Sequence, residues 1–230
     1  MLKKEYICHM NIELSYTEEN YLKAIFSLSA KTESTISTND IASKLNTKAS
    51  SVTDMIKKLA DKKLVNYKKY QGASLTNEGL KIAVSIVRNH RLWEVFLVDK
   101  LDFTWDEVHD LAEQLEHIKS DQLTEKLDAF LEYPTHDPHG DPIPDKDGNI
   151  DFGISETLSN MDEGITCVVV GVKDSSSLFL KFLDKSKIKL GSVIKAIHKE
   201  GFDNSMLVKI DNEERSLSNQ ITKNLFIKKV

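Results

Sequence analysis

The sequence predicts a mainly α chain with small β parts: three helices and a basic hairpin, then a helical middle, then a small C-terminal β-barrel. Three observations predict it. Apolar residues recur at helical spacing from Thr17 to about Glu132, all four prolines fall between Tyr133 and Pro144, and β-branched runs take over from Gly164. The expected boundaries are 1–84 for the first region (with 1–15 as a tail), 85–150 for the second, 151–163 for a linker and 164–230 for the third.

Bulk composition narrows the class. The 230 residues contain no run approaching the roughly 18 apolar residues of a membrane span. Lys3, Lys4 and Glu5 occupy the start, where a signal peptide would carry an apolar core, so the expected compartment is the cytoplasm, with no membrane partner. Cys8 and Cys167 stand far apart in no ligand spacing, which argues against a disulfide framework or a structural zinc site. The net charge of −5 hides an asymmetry. Residues 1–90 carry 14 Lys and Arg against 9 Asp and Glu, residues 91–153 carry 5 against 17, and residues 154–230 carry 12 against 10. A basic first third suits a polyanion and an acidic middle suits cations.

Taken in order, residues 1–15 give no periodic signal and include Met10, either a second start or part of a mobile tail. Thr17-Glu18-Glu19-Asn20 offers an N-cap and early acidic residues for a helix bearing Tyr21, Leu22, Ile25, Phe26 and Leu28. The polar stretch Lys31 to Ser37 ends it. Ile41 to Leu45 makes a short helix, Asn46 to Ser50 a turn, and Ser51 to Leu59 a second helix with Val52, Ile56 and Leu59 inward. Two short helices around a polar turn, the second presenting hydroxyls and lysines, read as a helix-turn-helix. The strand candidates Leu64 to Tyr67 and Ala73 to Thr76 flank Lys68-Lys69-Tyr70-Gln71-Gly72, a basic tip with glycine where a positive φ is expected, and read as a wing.

A long helix capped by Thr76 or Asn77 then runs through His90 and Glu94 to Val98, followed by a helix from Trp105 to about His117 and another from Asp121 to Glu132. At about 100° per residue, His109, Glu113, Glu116 and His117 share an arc of roughly 100° on the middle helix. Each residue alone fits the solvated face of an acidic helix. Two imidazoles and two carboxylates together, with His90 and Glu94 at i and i+4 on the preceding helix, form a metal-ligand set, because unpaired carboxylates at close range repel. Leu92, Phe96, Leu101, Leu111, Leu115, Ile118 and Leu123 are more apolar surface than three short helices hide from one another, so a helical dimer interface is expected, with burial under the C-terminal third as the alternative. The proline-rich segment adds His136, Asp137 and His139 as further candidate ligands. Asp145 to Asn160 reads as linker, and Ile165 to Val172, Ser192 to Ile197, Met206 to Ile210 and Leu225 to Ile227 read as strands around a helical stretch near Ser176 to Leu183.

With the winged motif, His90 and Glu94, the His109/Glu113/Glu116/His117 helix and the run His136 to Pro144 in hand, the sequence resembles the diphtheria toxin repressor family of metal-dependent transcription regulators over about residues 15–230. The resemblance implies an SH3-like C-terminal barrel, and a homodimer that binds palindromic double-stranded operator DNA when loaded with a divalent metal. It places one site at Asn20, Glu113, Glu116 and His117, and another at His90, Glu94 and His109 with Asp137 and His139 as candidates. Where iron-responsive members carry a cysteine this chain has Glu113, as manganese-responsive members do, so Mn²⁺ is expected and Fe²⁺ is the alternative; oxygen and imidazole donors without thiolate agree. Two departures stand out. Asn20 replaces the usual methionine or carboxylate, leaving Glu19 as a substitute, and only Asp174 is at hand as a ligand from the third region.

The expected mechanism is that metal ties the DNA-reading unit to the dimer scaffold and sets the separation of the two recognition helices. The expected DNA contacts are Lys48, Ser50, Ser51, Thr53, Asp54 and Lys57 on the recognition helix and Lys68, Lys69 and Ser74 on the wing. No small organic substrate and no catalytic residue are expected. The competing readings are a regulator whose metal dependence has lapsed and a helical di-metal enzyme, against which Glu113 lacks a histidine at i+3.

Overall fold

The computed structural model describes residues 13–29, 35–151, 153 and 156–230, which divide into two compact units meeting between Ile86 and Val87. Cys8, Met10, most of the expected tail, residues 31–34 of the polar loop and part of the expected linker lie outside the described residues.

In the first unit, α1 (Tyr16–Ser29) begins two residues earlier than a cap at Thr17 suggests. Ser15 is its cap: the Glu18 carboxylate accepts from the Ser15 amide at 2.8 Å while the Ser15 hydroxyl accepts from the Glu18 amide at 3.3 Å. Lys62 and Lys58 lie 2.7 and 3.4 Å from the same carboxylate, so a buried acid is neutralised. α2 (Thr38–Lys44) is capped by Ser37, whose hydroxyl accepts from the Asp40 amide at 3.1 Å. α3 (Ala49–Asp61) buries Val52, Ile56 and Leu59 and leaves its other face outward. Leu22, Ile25, Ile41, Ile56, Leu59 and Leu64 are the largest fully buried side chains of this unit. Strands β1 (Val65–Lys68) and β2 (Gly72–Leu75) pair antiparallel with Val65 opposite Leu75, and Ile36 extends them by a bridge to Ala73. Helix α4 (Asn77–Leu101) is capped by the Thr76 hydroxyl, which accepts from the Gly79 amide at 3.1 Å. Gly79 is required there, since a Cβ would lie 2.0 Å from the Leu64 carbonyl oxygen.

In the second unit, the rest of α4 packs with α6 (Asp121–Phe130) around Leu92, Val95, Leu127, Leu131 and Ile143. Leu92 is fully buried within its own chain, so it leaves the expected dimer surface; Leu101, Ile118, Leu123 and Phe130 remain exposed. Between these helices, α5 (Val108–Leu115) is shorter than the expected Trp105 to His117. The Thr104 hydroxyl donates to Glu107 at 2.7 Å and holds a turn ahead of the helix, and Glu116 and His117 follow its last residue.

The C-terminal strands are β3 (Glu156–Thr157), β4 (Thr166–Val172), β5 (Val193–Lys199), β6 (Met206–Ile210), β7 (Glu213–Leu217) and β8 (Leu225–Lys229), with α7 (Ser177–Lys185) and α8 (Asn219–Thr222) between them. They form one antiparallel sheet in the order β3-β8-β4-β5-β6-β7. The expected small SH3-like barrel is a six-stranded sheet folded over a core of Leu158, Val169, Leu180, Leu183, Ile188 and Ile194 among others, and among the described residues nothing pairs β7 with β3. The expected linker is also corrected. Glu156 and Thr157 pair with Ile227 and Phe226, and Leu158 and Met161 are buried, so this segment belongs to the sheet.

Candidate functional site

Three segments of the second unit converge on Glu94. Its i, i+4 spacing from His90 puts both on one face of α4; α5 presents His109 and Glu113; the proline-rich loop after α6 presents Asp137 and His139. His90 Nε2 lies 3.0 Å from Glu94 Oε1 and 3.2 Å from His109 Nδ1, and His109 Nδ1 lies 3.3 Å from Glu94 Oε1. These three donor atoms form a nearly equilateral triangle. On the other side of the same carboxylate, His139 Nδ1 is 3.6 Å from Glu94 Oε2.

Glu94, Asp137 and His139 side chains are only 2, 2 and 3% exposed, which makes their charges interdependent. Burial alone would raise the Glu94 carboxyl, but hydrogen bonds from His109, His139 and His90 hold it well below the ordinary carboxylate range. Burial, then the charges of Glu94 and Asp141, push Asp137 up to about 7 against the pull of His139 and Arg91. His139 would be lowered by burial, yet the Glu94 hydrogen bond and charge, the Asp137 charge and the Trp105 carbonyl raise it to about 9. Arg91 adds a further positive charge to the cluster, its Nε 3.6 Å from Asp137 Oδ2.

The donors fit a divalent cation. Adjacent ligands of an ion with bonds of about 2.1 Å are about 3 Å apart, which is the spacing of the His90, Glu94 and His109 atoms. The outer contacts fit as well: His90 Nδ1 lies 2.6 Å from Glu116 Oε2, and His139 Nε2 donates to the Trp105 carbonyl at 2.8 Å, the kind of backing that orients a ligating imidazole.

The remaining expected ligands are placed less uniformly. Glu113 is half-buried, with Oε1 3.6 Å from His109 Nε2. Glu116 and His117 are buried and sit 3.8 Å apart, Oε1 to Nε2, while Glu116 also backs His90. Asn20 belongs to the first unit, where its Oδ1 is buried without a hydrogen-bond partner, and Glu19 beside it is buried. His136 pairs with Thr135, and Asp174 accepts from the Ser176 amide at 2.9 Å; neither belongs to the two compact ligand groups among the described residues.

On the first unit, Lys48, Ser50, Ser51, Asp54 and Lys57 lie exposed at or along the outward face of α3. Thr53 is half-buried and its hydroxyl donates back to the Ala49 carbonyl at 2.9 Å, so its proton serves the helix. Lys68 and Lys69 are exposed on the wing and Ser74 is half-buried. Tyr70, which the residue-type reading passed over, is the wing tip: 92% exposed, at φ 67°, with Lys69 Nζ 5.0 Å from its ring centre.

Arg88, Arg91 and Trp105 were also not legible as site residues. Arg88 donates to the Pro144 carbonyl and to Asp128, both at 2.8 Å, and Arg91 donates to the Pro142 carbonyl, so the two guanidiniums pin the ligand loop onto α4. Their one sequence signal is a pair of arginines bracketing His90 at the edge of an otherwise acidic region.

Comparison with known proteins matches this arrangement piece by piece. A model described as the iron dependent repressor N-terminal DNA binding domain matches residues 13–73, the iron dependent repressor metal binding and dimerisation domain matches 76–145, and a FeoA domain matches 156–229. A solved manganese-dependent transcriptional repressor in complex with manganese is 33% identical, covering 93% of this chain and 100% of that one with a TM-score of 0.83. An uncharacterized HTH-type transcriptional regulator of Methanocaldococcus jannaschii is 36% identical over 52% of this chain and 95% of its own. The iron-dependent repressor IdeR of Mycobacterium tuberculosis is 31% identical over 62% of this chain. The chain spans 60% of the length of that repressor and 19% of a chlamydial probable metal transport system membrane protein that it also matches. With both repressor domain models matched in tandem and two relatives aligned over nearly their full lengths, the chain belongs to the iron-dependent repressor family, the family of the diphtheria toxin repressors.

Proposed function

We propose that this chain is a cytoplasmic, divalent-metal-dependent repressor that binds operator DNA as a homodimer, with Mn²⁺ as the preferred ion and Fe²⁺ next. The observation that carries the reading is Glu94, a buried carboxylate faced by imidazoles from three separate segments in a chain that also presents serines and lysines on the outward face of α3. His90, Glu94 and His109, with Asp137 and His139 from the loop, would hold one set of ligands; Glu113, Glu116 and His117, with Asn20, would hold the other. Bound metal supplies the positive charge that lets these carboxylates stay together.

The residues themselves do the rest. His90 and Glu94 sit on α4, the helix that follows the wing in sequence. The exposed Leu101, Ile118, Leu123 and Phe130 support a helical dimer contact. Lys48, Lys57, Lys68 and Lys69 would hold phosphates, with Ser50, Ser51, Thr53, Asp54 and Ser74 as the further DNA contacts. Among the described residues no helix is long and apolar enough to cross a membrane. The assigned organisation is 1–84 for DNA binding, 85–150 for metal and dimerisation, and a C-terminal sheet region, in keeping with the parting of the two units at Ile86.

The test is a mobility-shift titration of the full chain against the promoter beside its own gene, in Mn²⁺, Fe²⁺, Zn²⁺ and chelator. Metal should tighten binding, with Mn²⁺ most effective, and equal affinity in chelator and Mn²⁺ would end the proposal. In the same assay Lys57→Ala should reduce the log-log salt slope by up to about one without changing sequence preference; an unchanged slope with lost preference would remove Lys57 from the phosphate contacts.

A further inference from the structure

The Trp105 side chain offers no ligand atom, yet three parts of this residue are engaged. Its carbonyl accepts from His139 Nε2 at 2.8 Å, which leaves His139 Nδ1 turned toward Glu94 Oε2 at 3.6 Å. Its ring stacks on the His139 imidazole, the planes 15° apart and the centres 6.4 Å apart. Its indole Nε1 donates to both carboxylate oxygens of Asp184 on α7, each at 3.1 Å.

The neighbouring residue repeats the contact. Asp106, its side chain 6% exposed, lies 3.4 Å from Lys181, which precedes Asp184 by three residues and so shares a face of α7 with it. The indole also packs against the core of the C-terminal sheet. From the other side, the Val172 amide of β4 donates to the His139 carbonyl at 2.9 Å, and Gly140 lies so close to Val170 and Gly171 that a Cβ has no room. The C-terminal region therefore holds both the turn that leads to His109, four residues after Trp105, and the loop that carries His139. These two imidazoles face opposite oxygens of Glu94, His109 at Oε1 and His139 at Oε2.

We propose that Trp105 is a positioning residue for the metal centre, fixing His139 through its carbonyl and its ring, and that Asp184 of α7 holds it in that place. The proposal rests on the metal-dependent reading above and names what sets the direction of one of its ligands. Docking of the C-terminal region and loading of the ion then favour each other, since each restrains the same loop.

The experiment uses the full chain as wild type, Trp105→Ala, Trp105→Phe, Asp184→Ala, His139→Gln, and His139→Gln combined with Trp105→Ala, with far-UV circular dichroism and an apo melt to check that each is folded. In the apo proteins, hydrogen exchange read by mass spectrometry over residues 135–144 should be about 10-fold faster in Trp105→Ala and moderately faster in Asp184→Ala, with α1 to α3 exchanging as in wild type. Equilibrium dialysis against Mn²⁺ alone should show a Kd raised about 10-fold by Trp105→Ala, as for other partners that orient a ligand, and close to wild type in Trp105→Phe, which keeps the carbonyl and a ring. In the His139→Gln background Trp105→Ala should add little, because the ligand it acts through is gone. Unchanged loop exchange in folded Trp105→Ala, or the same loss of Mn²⁺ affinity with and without His139, would overturn the proposal. The metal-dependent reading fails separately: a wild type that binds no Mn²⁺, or whose DNA binding ignores it, ends that reading, and exchange in the apo chain then decides by itself whether Trp105 holds the loop.

Discussion

Glu94→Gln tests the centre most directly, because it keeps the side chain's shape and removes the charge that His90, His109 and His139 face at 3.0, 3.3 and 3.6 Å. An amide presents a donor where one carboxylate oxygen stood, and a donor repels a cation. Replacing an outer-shell partner of a metal ligand already costs about 10- to 100-fold in affinity, so loss of a ligand should cost at least about 100-fold. An ion that binds only the folded chain stabilises it by RT ln(1 + [M]/Kd). At a free Mn²⁺ concentration 100 times the wild-type Kd this is about 2.7 kcal/mol, and it falls to about 0.4 kcal/mol once Kd rises about 100-fold. The difference of about 2.3 kcal/mol corresponds to about 5 to 9 °C in melting temperature for a chain of this size. Scanning calorimetry of each protein in chelator and in Mn²⁺ measures it, and comparing the metal-induced shift within each protein cancels the variant's own change in stability. A folded Glu94→Gln protein that keeps the full metal-induced shift refutes the role of this carboxylate.

Two further outcomes are expected. A Cβ at Gly140 would lie 2.2 Å from the Val170 carbonyl oxygen and 2.4 Å from Gly171 Cα at a φ of +86°, so Gly140→Ala must part the ligand loop from β4 and should cost about 2 to 4 kcal/mol in urea unfolding. A loss below about 0.5 kcal/mol would mean the loop is not gripped there. Glu18 tests the first unit through pH: burial would raise its carboxyl, but Lys62, the Ser15 amide and hydroxyl, and Lys58 lower it from 4.5 to about 2. Because the folded value is the lower one, its contribution is complete above pH 4.5 and is lost as pH falls toward 2. The stability gap between wild type and Glu18→Gln should therefore close across that window; parallel curves through it would show that Glu18 does not contribute in this way.

Much of the architecture was legible because its signals are local. The helices around Leu22, Ile56 and Leu92 repeat apolar residues at a helical period, and the wing announces itself by a lysine-rich tip closed by Gly72 at φ 92°. The ligand candidates were legible for the same reason, as imidazoles and carboxylates at i and i+4. Other features competed with equally good local alternatives. Thr17 looks as fit to cap a helix as Ser15, and the choice fell to Ser15 because Glu18 could return the bond and meet Lys62 from 44 residues away in sequence. The polar stretch before Met161 reads as linker until Leu158 finds the sheet core.

What no local pattern carries is which ligands meet. His90 joins Glu116 across 26 residues, and Glu94 joins His139 across 45, with Arg88 and Arg91 drawing the intervening loop onto α4. The residue types, their spacing and the charge asymmetry follow from sequence alone, since each is a property of a few neighbouring positions. That one carboxylate stands between two groups of donors and that Gly140 lies flat on β4 were decided by tertiary packing, because only close approach of distant segments gives those atoms their neighbours.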